Sequence, residues 1–266
     1  MDFSMNALKK IFFQKRKSKG SERRSTFLLS SDNVPFDVAE AYNATRTNVI
    51  FSLADKSEGC KTIILTSAMP AEGKTTMCIN LALSFAQTEA KILVIDADLR
   101  KPKIHTYLNC DNSVGLTNVL AGFTDIESAI KKHSSGFDYI TSGHIPPNPV
   151  ELLSSTKMTQ VLNKLSESYD YIFIDTPPTM VVTDASALAK NSTGVILVAR
   201  YMYTTRENLE RAISNLKFVD ANILGILMNN SENSRRKAYK RSYSNKYYKY
   251  YDYKYSYDTG KRNKNK

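Results

Sequence analysis

The sequence predicts an α/β fold in which a mostly parallel sheet is covered by helices on both faces. Short apolar runs of strand length alternate along the chain with longer segments of helical periodicity, which is typical of βαβ units. A loop of mostly small residues, SAMPAEGKTT at 67–76, joins the first strand to the next helix. A glycine, lysine and threonine at such a junction point backbone N–H groups and a helix N-terminus at one place, where a phosphate binds.

The first predicted elements are a helix and the strand that leads into this loop. Apolar residues recur at helical spacing over 36–53, and Glu40 and Arg46 lie on the polar face of that helix. Residues 62–66 form a buried strand, and the helix after the loop extends to about residue 87. The residues expected to bind a nucleotide are Ala71, Glu72, Gly73, Lys74, Thr75 and Thr76.

Two further strands end in carboxylates. Residues 91–95 lead into Asp96 and Asp98, and residues 171–174 lead into Asp175. Ligands of open α/β sheets bind outside the carboxyl ends of the strands, so we expect these acids to lie near the phosphate loop. Carboxylates and a threonine hydroxyl beside phosphates suit Mg²⁺. The sequence therefore predicts a P-loop NTPase-type site in which Mg²⁺ is held by Thr75, Asp98 and Asp175.

The remaining segments continue the alternation of strands and helices. A rigid, proline-containing loop precedes the helix at 150–153, and an amphipathic helix separates the last two strands. The order of the strands in the sheet cannot be read from the sequence. The other predicted elements are helices near 116–120, 126–131 and 206–218, and strands at 137–141, 194–199 and 223–228.

The formal net charge of +11 belongs to the two ends of the chain. Residues 1–24 carry eight Lys or Arg and two acids, and residues 235–266 carry twelve and two, which leaves −5 between them. The basicity therefore describes appendages rather than a nucleic-acid-binding cleft in the body. We divide the chain into a basic tail and linker at 1–35, one domain at 36–234, and a C-terminal tail at 235–266.

The C-terminal tail is rich in tyrosine and lysine. It holds nine of the sixteen tyrosines and almost no aliphatic residue. Such a segment cannot bury enough apolar surface to offset its ordering entropy, so we expect it to be disordered. Phosphate on its hydroxyl groups would make it a charge switch, because each phosphate adds about −1.5 to −2. Stacking on single-stranded nucleic acid is the alternative that composition leaves open.

The sequence also favours a cytoplasmic location. Its three cysteines have no paired spacing, no apolar run reaches eighteen residues, and the N-terminus lacks the apolar region of a signal peptide. Residues 1–17 place apolar side chains among lysines, which fits either a solvated tail or contact with a membrane surface or a partner.

The predicted site has the parts that phosphoryl transfer needs. Lys74 reaches the phosphates, Asp98 and Asp175 complete the metal shell with Thr75, and Asp96 is the candidate general base for an incoming hydroxyl. Asp96 and Asp98 can exchange roles because they follow the same strand. Hydrolysis would use the same residues with water, so the acceptor has to be argued separately.

Together these motifs resemble those of the bacterial tyrosine kinases, in the split cytoplasmic form of Gram-positive capsule and exopolysaccharide systems. The resemblance rests on the phosphate loop, ILVIDADLR at 92–100, YIFIDTPP at 171–178, GHIPPNPVELL at 143–153 and the tyrosine-rich tail, and it spans roughly 36–258. It implies tyrosine autophosphorylation in trans that depends on ATP and Mg²⁺. The implied acceptors are Tyr243, Tyr247, Tyr248, Tyr250, Tyr251, Tyr253, Tyr255 and Tyr257.

The resemblance also implies partners. These are further copies in a ring-shaped homo-oligomer, a membrane adaptor of the polysaccharide chain-length-regulator type that recruits the kinase to the inner face of the membrane, and a cognate phosphatase; no nucleic acid is expected. The family's ring is held by a helix with an ExxRxxR pattern, which Glu40 and Arg46 match, while Asn43 replaces the middle arginine. Since asparagine cannot form a bidentate charge-assisted pair, we expect weaker or adaptor-dependent self-association.

Two other functions stay open at this point. A partition or septum-placement ATPase shares the fold and uses ATP hydrolysis as a dimerisation switch. Its loop carries a signature lysine, in KGGxGKT, where this chain has Met69, and it lacks a tyrosine tail. A nucleic-acid-binding protein acting through its basic tail would bind with an affinity that falls steeply with salt.

Overall fold

The computed structural model describes residues 28–30, 34–54 and 59–230, which form seven strands and nine helices. The strands are β1 (Lys61–Ser67), β2 (Ile92–Asp96), β3 (Lys131–Lys132), β4 (Asp138–Ile140), β5 (Tyr171–Asp175), β6 (Gly194–Arg200) and β7 (Ile223–Asn229). The helices are α1 (Phe36–Ser52), α2 (Lys74–Phe85), α3 (Ile104–Tyr107), α4 (Leu116–Leu120), α5 (Ile126–Ala129), α6 (Pro149–Leu153), α7 (Thr156–Ser166), α8 (Asp184–Ala189) and α9 (Arg206–Phe218).

These strands form one sheet in the order β3-β4-β2-β5-β1-β6-β7. Every neighbouring pair is parallel except β3 with β4. Strand β5 lies between β1 and β2, so the three strands that carry the predicted site residues are adjacent. Asp96 and Asp175 are register partners on β2 and β5. The predicted mostly parallel α/β sheet is confirmed, and its strand order brings the phosphate loop and the strand-end acids to one edge.

Side chains on the central strands alternate between two buried clusters. Ile63 and Leu65 of β1 and Phe173 of β5 belong to the cluster that continues into α1, α2 and α3. Ile64 and Ile174 belong to the cluster that continues into α4 to α9. Because successive residues of a strand face opposite sides, this alternation shows that helices cover both faces of the sheet, as predicted.

Helix α1 packs on α2 and leaves apolar side chains outside. Tyr42 is buried, and its hydroxyl accepts a hydrogen bond of 3.1 Å from Asn80 Nδ2 of α2. On the same helix Phe36 and Phe51 are each 74% exposed, and Ile50 is 41% exposed.

Several elements differ from the sequence-based expectation. The helix expected over 126–131 ends at Ala129, because Lys131 and Lys132 form a short antiparallel strand beside β4. Helices α3, α7 and α8 have no counterpart among the predicted elements. Two of them span only four and six residues, and helices that short form through tertiary packing rather than from their own periodicity.

Some predictions concern residues outside the described ranges. These are the disorder of the C-terminal tail at 235–266, its acceptor tyrosines, and the basic segment at 1–17. Part of the predicted linker is described, and Leu29 N donates a 2.8 Å hydrogen bond to Asn80 Oδ1. Among the described residues, no helix has the length and apolarity needed to cross a membrane.

Candidate active site

The loop between β1 and α2 contains two residues with left-handed backbone conformation. Gly73 has a φ of 95° and Ala71 a φ of 62°. The φ of Gly73 strains any other residue, and a Cβ atom there would also lie 2.0 Å from Asn229 Nδ2, so the position strongly favours glycine. Ala71 adopts its conformation at a cost of about 1–2 kcal/mol. Helix α2 begins at Lys74, so its N-terminus faces the loop as the sequence predicts.

Neighbouring strands hold this loop through three contacts. The carboxylate of Glu72 is buried and accepts a hydrogen bond from Thr204 Oγ1. Asn229 Nδ2 donates to Glu72 O at 2.9 Å, and Arg200 Nη1 donates to Ala71 O at 3.1 Å. The buried Glu72 side chain therefore helps to hold the loop in place.

Lys74 lies among carboxylates at the end of β2 and β5. Its Nζ is 2.8 Å from Asp98 Oδ2 and 3.4 Å from Asp175 Oδ1. Thr75 Oγ1 donates to Asp175 Oδ2 at 2.6 Å, and Asp96 is fully buried beside Asp175. The structure thus brings together the five residues that the sequence assigns to catalysis and metal binding. We call the carboxylates of Asp96, Asp98 and Asp175, together with the Lys74 ammonium that they surround, the carboxylate cluster.

The carboxylate of Asp96 is held by backbone donors. Oδ1 accepts a 3.2 Å hydrogen bond from Asp98 N, and Oδ2 accepts bonds of 3.1 Å from Lys103 N and 3.0 Å from Ile104 N. These bonds fix the orientation of the Asp96 side chain. They also shape the segment between β2 and α3.

Burial and mutual repulsion shift the protonation of the carboxylate cluster. Burial, and then the charge of Asp175, raises the pKa of Asp96. Burial likewise raises the pKa of Asp175, although Lys74 opposes this effect. Burial by itself lowers the pKa of Lys74, but Asp175 and Asp98 outweigh it, and that pKa is raised overall. Three carboxylates around one ammonium leave an excess of negative charge that a divalent cation would offset.

The donor set fits a magnesium ion that is bound together with phosphates. In the ranges that the structure describes, no group of three or more His, Cys, Asp or Glu is arranged to hold a metal by itself. Mg²⁺ typically takes one or two carboxylates and fills its other positions with phosphate oxygens and water. Asp98, Asp175 and the Thr75 hydroxyl match that smaller set.

An ion pair beside the carboxylate cluster is missed by the sequence analysis. Arg100 donates from Nε and Nη2 to both carboxylate oxygens of Asp184, at 3.1–3.4 Å. The Asp184 side chain is fully buried at the start of α8, and that of Arg100 is 38% exposed. The pair ties the segment after β2 to the segment after β5. Its only sequence signal is the position of Arg100 two residues after Asp98.

Glu40 and Arg46 lie on α1 and are not part of the carboxylate cluster. Arg46 Nη1 donates to Ser84 O and, at 3.4 Å, to Gln87 Oε1, near the end of α2. Glu40 is exposed and accepts a 3.1 Å hydrogen bond from Asn43 Nδ2. Arg46 is thus engaged within its own molecule, and a role of these residues in self-association stays a prediction.

Comparison with known proteins identifies the family. A family model described as an AAA domain (AAA_31) matches residues 60–230. The tyrosine-protein kinase YwqD of Bacillus subtilis (strain 168) is 38% identical over 225 residues, which are 84% of this chain and 94% of that protein. The chain belongs to the bacterial tyrosine kinase family. Other relatives named as tyrosine-protein kinases are longer, and the chain spans 27–32% of their length.

Solved structures agree with this assignment. The kinase domain of the Escherichia coli tyrosine kinase ETK superposes with a TM-score of 0.69 at 32% identity, over 76% of this chain and 84% of that one. The septum site-determining protein MinD from Pyrococcus horikoshii, complexed with Mg-ADP, gives a TM-score of 0.57 at 26% identity, over 66% and 73%. The chain is therefore a P-loop protein-tyrosine kinase, and it shares its fold with a nucleotide-binding protein.

The Arg100–Asp184 pair should contribute measurably to stability. Replacing Arg100 with glutamine should lower the free energy of unfolding by about 1–3 kcal/mol, because the buried Asp184 loses its charged partner. The cost in the double variant Arg100→Gln/Asp184→Asn should be smaller than the sum of the single costs. Urea unfolding measures all three values.

A matched control for this pair lies on α9. Arg206 and Glu210 form a pair four residues apart in which both side chains are 50% exposed. Arg206→Gln should change the free energy of unfolding by no more than about 0.5 kcal/mol. Equal costs at Arg100 and Arg206, or additive costs in the double variant, would contradict a coupled, buried pair.

Proposed function

We propose that this kinase transfers the γ-phosphoryl group of ATP in trans to the C-terminal tyrosines of another copy, and thereby regulates capsular or exopolysaccharide synthesis. The proposal rests on the carboxylate cluster. In this cluster Lys74, at the N-terminus of α2, is surrounded by Asp96, Asp98 and Asp175. Membership of the bacterial tyrosine kinase family supports tyrosine rather than water as the acceptor.

We assign nucleotide binding to residues 71–76. The left-handed Gly73 and the N-terminus of α2 direct backbone N–H groups towards phosphates, and Lys74 adds an ammonium. If Mg²⁺ were bound here, it would supply positive charge that offsets the negative charge of the phosphates during transfer. The residues that would hold it are Thr75, Asp98 and Asp175. The bonds from Lys74 to Asp98 and Asp175 orient the ammonium at the site.

Asp96 is the proposed general base. A base is most effective when its pKa approaches the working pH, and burial together with Asp175 raises the pKa of Asp96 in that direction. Its backbone donors keep the carboxylate in one orientation. In the reaction, Asp96 takes the proton of the tyrosine hydroxyl as the phenolic oxygen attacks.

The acceptor segment begins beside the phosphate loop. The described residues end at Asn230, directly after β7, and Asn229 contacts the backbone of Glu72. Tyr243 is thirteen residues further along the chain, which allows a reach of roughly 45 Å. A segment that starts at this position can reach its own site or the site of an adjacent copy. Transfer in trans therefore rests on the family resemblance and needs a direct test.

Helix α1 is the proposed self-association surface. Phe36, Ile50 and Phe51 are exposed on it, and Glu40 lies on the same helix. Burying one large apolar side chain contributes about 1.5–3 kcal/mol, so these residues can supply the association energy that Asn43 does not.

The family resemblance further supports a cytoplasmic kinase that a membrane adaptor of the chain-length-regulator type recruits to the inner face of the membrane. It also supports a cognate phosphatase that reverses the reaction.

Transfer in trans can be tested by giving the active site and the acceptors to different molecules. A chain ending at Ser234 keeps every described residue and lacks the tail, whereas full-length Lys74→Met keeps the tail and lacks the ammonium. With ATP and Mg²⁺, the intact mass of Lys74→Met should rise in steps of about 80 Da only when the shorter chain is present. The control is Lys157→Met, which removes an exposed lysine of α7. Its intact mass should rise even without the shorter chain, as that of wild type does.

Two results would contradict this reading. If wild type becomes phosphorylated while Lys74→Met in the mixture never does, transfer occurs within one molecule. If ATP is hydrolysed and no mass changes, even with a fragment of the adaptor present, the chain acts as a dimerisation-switch ATPase of the partition type.

The separate roles of Asp96 and Asp98 predict different defects. Asp98→Asn should raise the Mg²⁺ concentration needed for half-maximal kinase activity, because it removes a metal ligand. Asp96→Asn should lower kcat at saturating Mg²⁺ by roughly 10²–10⁴-fold, because it removes the base. Metal titrations of both variants, with phosphate incorporation as the readout, measure this. The opposite pattern would assign the base to Asp98.

Self-association through α1 predicts a sedimentation change. In the Lys74→Met background, which keeps the tails unphosphorylated, Phe51→Ser should weaken the oligomer about tenfold or more. Arg46→Ala should also weaken it if the family's interface is used. Phe123→Ser is the control, since Phe123 is 83% exposed but lies between α4 and α5. Lys74→Met that sediments as a monomer at all concentrations would refute the interface.

A further inference from the structure

Two tyrosines of the folded domain are exposed. Seven of the sixteen tyrosines lie in the ranges that the structure describes, and five of these are buried or partly buried. Tyr201 and Tyr203 are 40% and 49% exposed. They flank Met202, whose φ is 59°, in the turn after β6. Both side chains therefore lie at the surface of the described domain.

This turn lies at the edge of the sheet that carries the phosphate loop. Strand β6 runs parallel to β1, so the two strands end on the same side. Arg200, the last residue of β6, donates from Nη1 to Ala71 O at 3.1 Å. The carbon of its guanidinium is also 5.4 Å from the centre of the Tyr203 ring, a cation–π distance. Arg200 therefore contacts the phosphate loop and an exposed tyrosine at the same time.

The contact with Ala71 matters because that residue is strained. A non-glycine residue with a φ of 62° persists only when its surroundings hold it there. The bond from Arg200 is one such restraint, and the bond from Thr204 to Glu72 is a second. Both come from the turn that contains Tyr203. A change in this turn is thus expected to reach the loop directly.

We propose that Tyr203 is a second phosphorylation site of this kinase, and that phosphate on Tyr203 draws Arg200 away from Ala71 and weakens nucleotide binding. The inference rests on the proposed function. Tyr203 Oη attacks the γ-phosphorus of ATP bound to another copy, the bond between that phosphorus and the oxygen of the leaving ADP breaks, and the hydroxyl proton passes to the general base of that copy. The products are phosphotyrosine and ADP.

A phosphate at this position competes well for the guanidinium. It carries about −1.5 to −2 charges and accepts bidentate, charge-assisted hydrogen bonds from arginine. The carbonyl of Ala71 is neutral and takes one bond from the same group. The phosphate would also repel the carboxylate of Glu72, which is bonded to the residue after Tyr203. Both effects release restraints on the phosphate loop.

The site can be mapped with affinity-tagged full-length Lys74→Met as acceptor and untagged wild type as enzyme, in ATP and Mg²⁺, with the tagged acceptor purified before digestion. Trypsin cleaves after Arg200 and after Arg206, and so releases residues 201–206, YMYTTR. We expect phosphate on the peptide from Lys74→Met and from Lys74→Met/Tyr201→Phe, but not from Lys74→Met/Tyr203→Phe. Phosphate on the C-terminal tail in the same digest reports separately on the proposed function.

The consequence is measured as affinity for a fluorescent ADP analogue. After phosphorylation, wild type should bind the analogue about tenfold more weakly than Tyr203→Phe treated in the same way, which also controls for phosphate on the tail. Unphosphorylated Arg200→Gln should show a similar loss, because it removes the same restraint. Arg206→Gln, in the exposed pair on α9, should bind as wild type does.

The outcomes separate this proposal from the function on which it rests. A phosphorylated tail with an unmodified 201–206 peptide would overturn the Tyr203 site and leave the proposed function intact. Phosphate on Tyr203 with unchanged affinity for the ADP analogue would overturn its regulatory effect. Wild type that incorporates no phosphate anywhere would overturn both.

Discussion

The burial of several like charges at one edge of the sheet is the constraint on which the rest of the structure depends. Asp96 and Asp175 have no exposed surface, and Asp98 is nearly buried beside them. A buried charge costs several kcal/mol unless charged partners and hydrogen bonds offset it. Lys74, Thr75 and the backbone donors around Asp96 provide that compensation. The adjacency of β2, β5 and β1 is what brings them together.

The phosphate loop depends in turn on the two strands beyond β1. Arg200 at the end of β6 and Asn229 at the end of β7 both bond to loop carbonyl groups, and Thr204 holds the buried Glu72. Five adjacent strands therefore contribute to one site. Strand β7 precedes the tyrosine-rich tail in the sequence. Asn229, which restrains the phosphate loop, therefore lies close in sequence to the start of the acceptor segment.

Whether a contact of the site could be predicted depends on whether the sequence pattern marks both of the residues that form it. The meeting of Asp96, Asp98 and Asp175 with Lys74 follows from strand ends, because parallel strands end at one edge. The remaining contacts depend on strand order, which one sequence does not contain. Asp184 lies 84 residues after Arg100, so nothing local marks it as a buried carboxylate.

Glu72 and Arg46 show the same limit in a different way. The position of Glu72 in the loop predicted phosphate contact, but its carboxylate turns towards Thr204, which only the placement of β6 reveals. Arg46 fits the family's oligomer pattern, yet its guanidinium binds Ser84 O of its own molecule. In both cases the sequence pattern singled out the residue, but tertiary packing decided which atoms its side chain contacts.

The replacement of an arginine by Asn43 also has a structural explanation. Asn43 donates to Glu40 and accepts a 3.3 Å bond from Ser84 Oγ, so it joins α1 to α2 within one molecule. Phe36 and Phe51 of the same helix are exposed. Pairs of exposed charges are screened by salt, whereas burial of aromatic rings is not. Self-association through α1 should therefore persist at ionic strengths that would dissociate a ring held by arginine pairs.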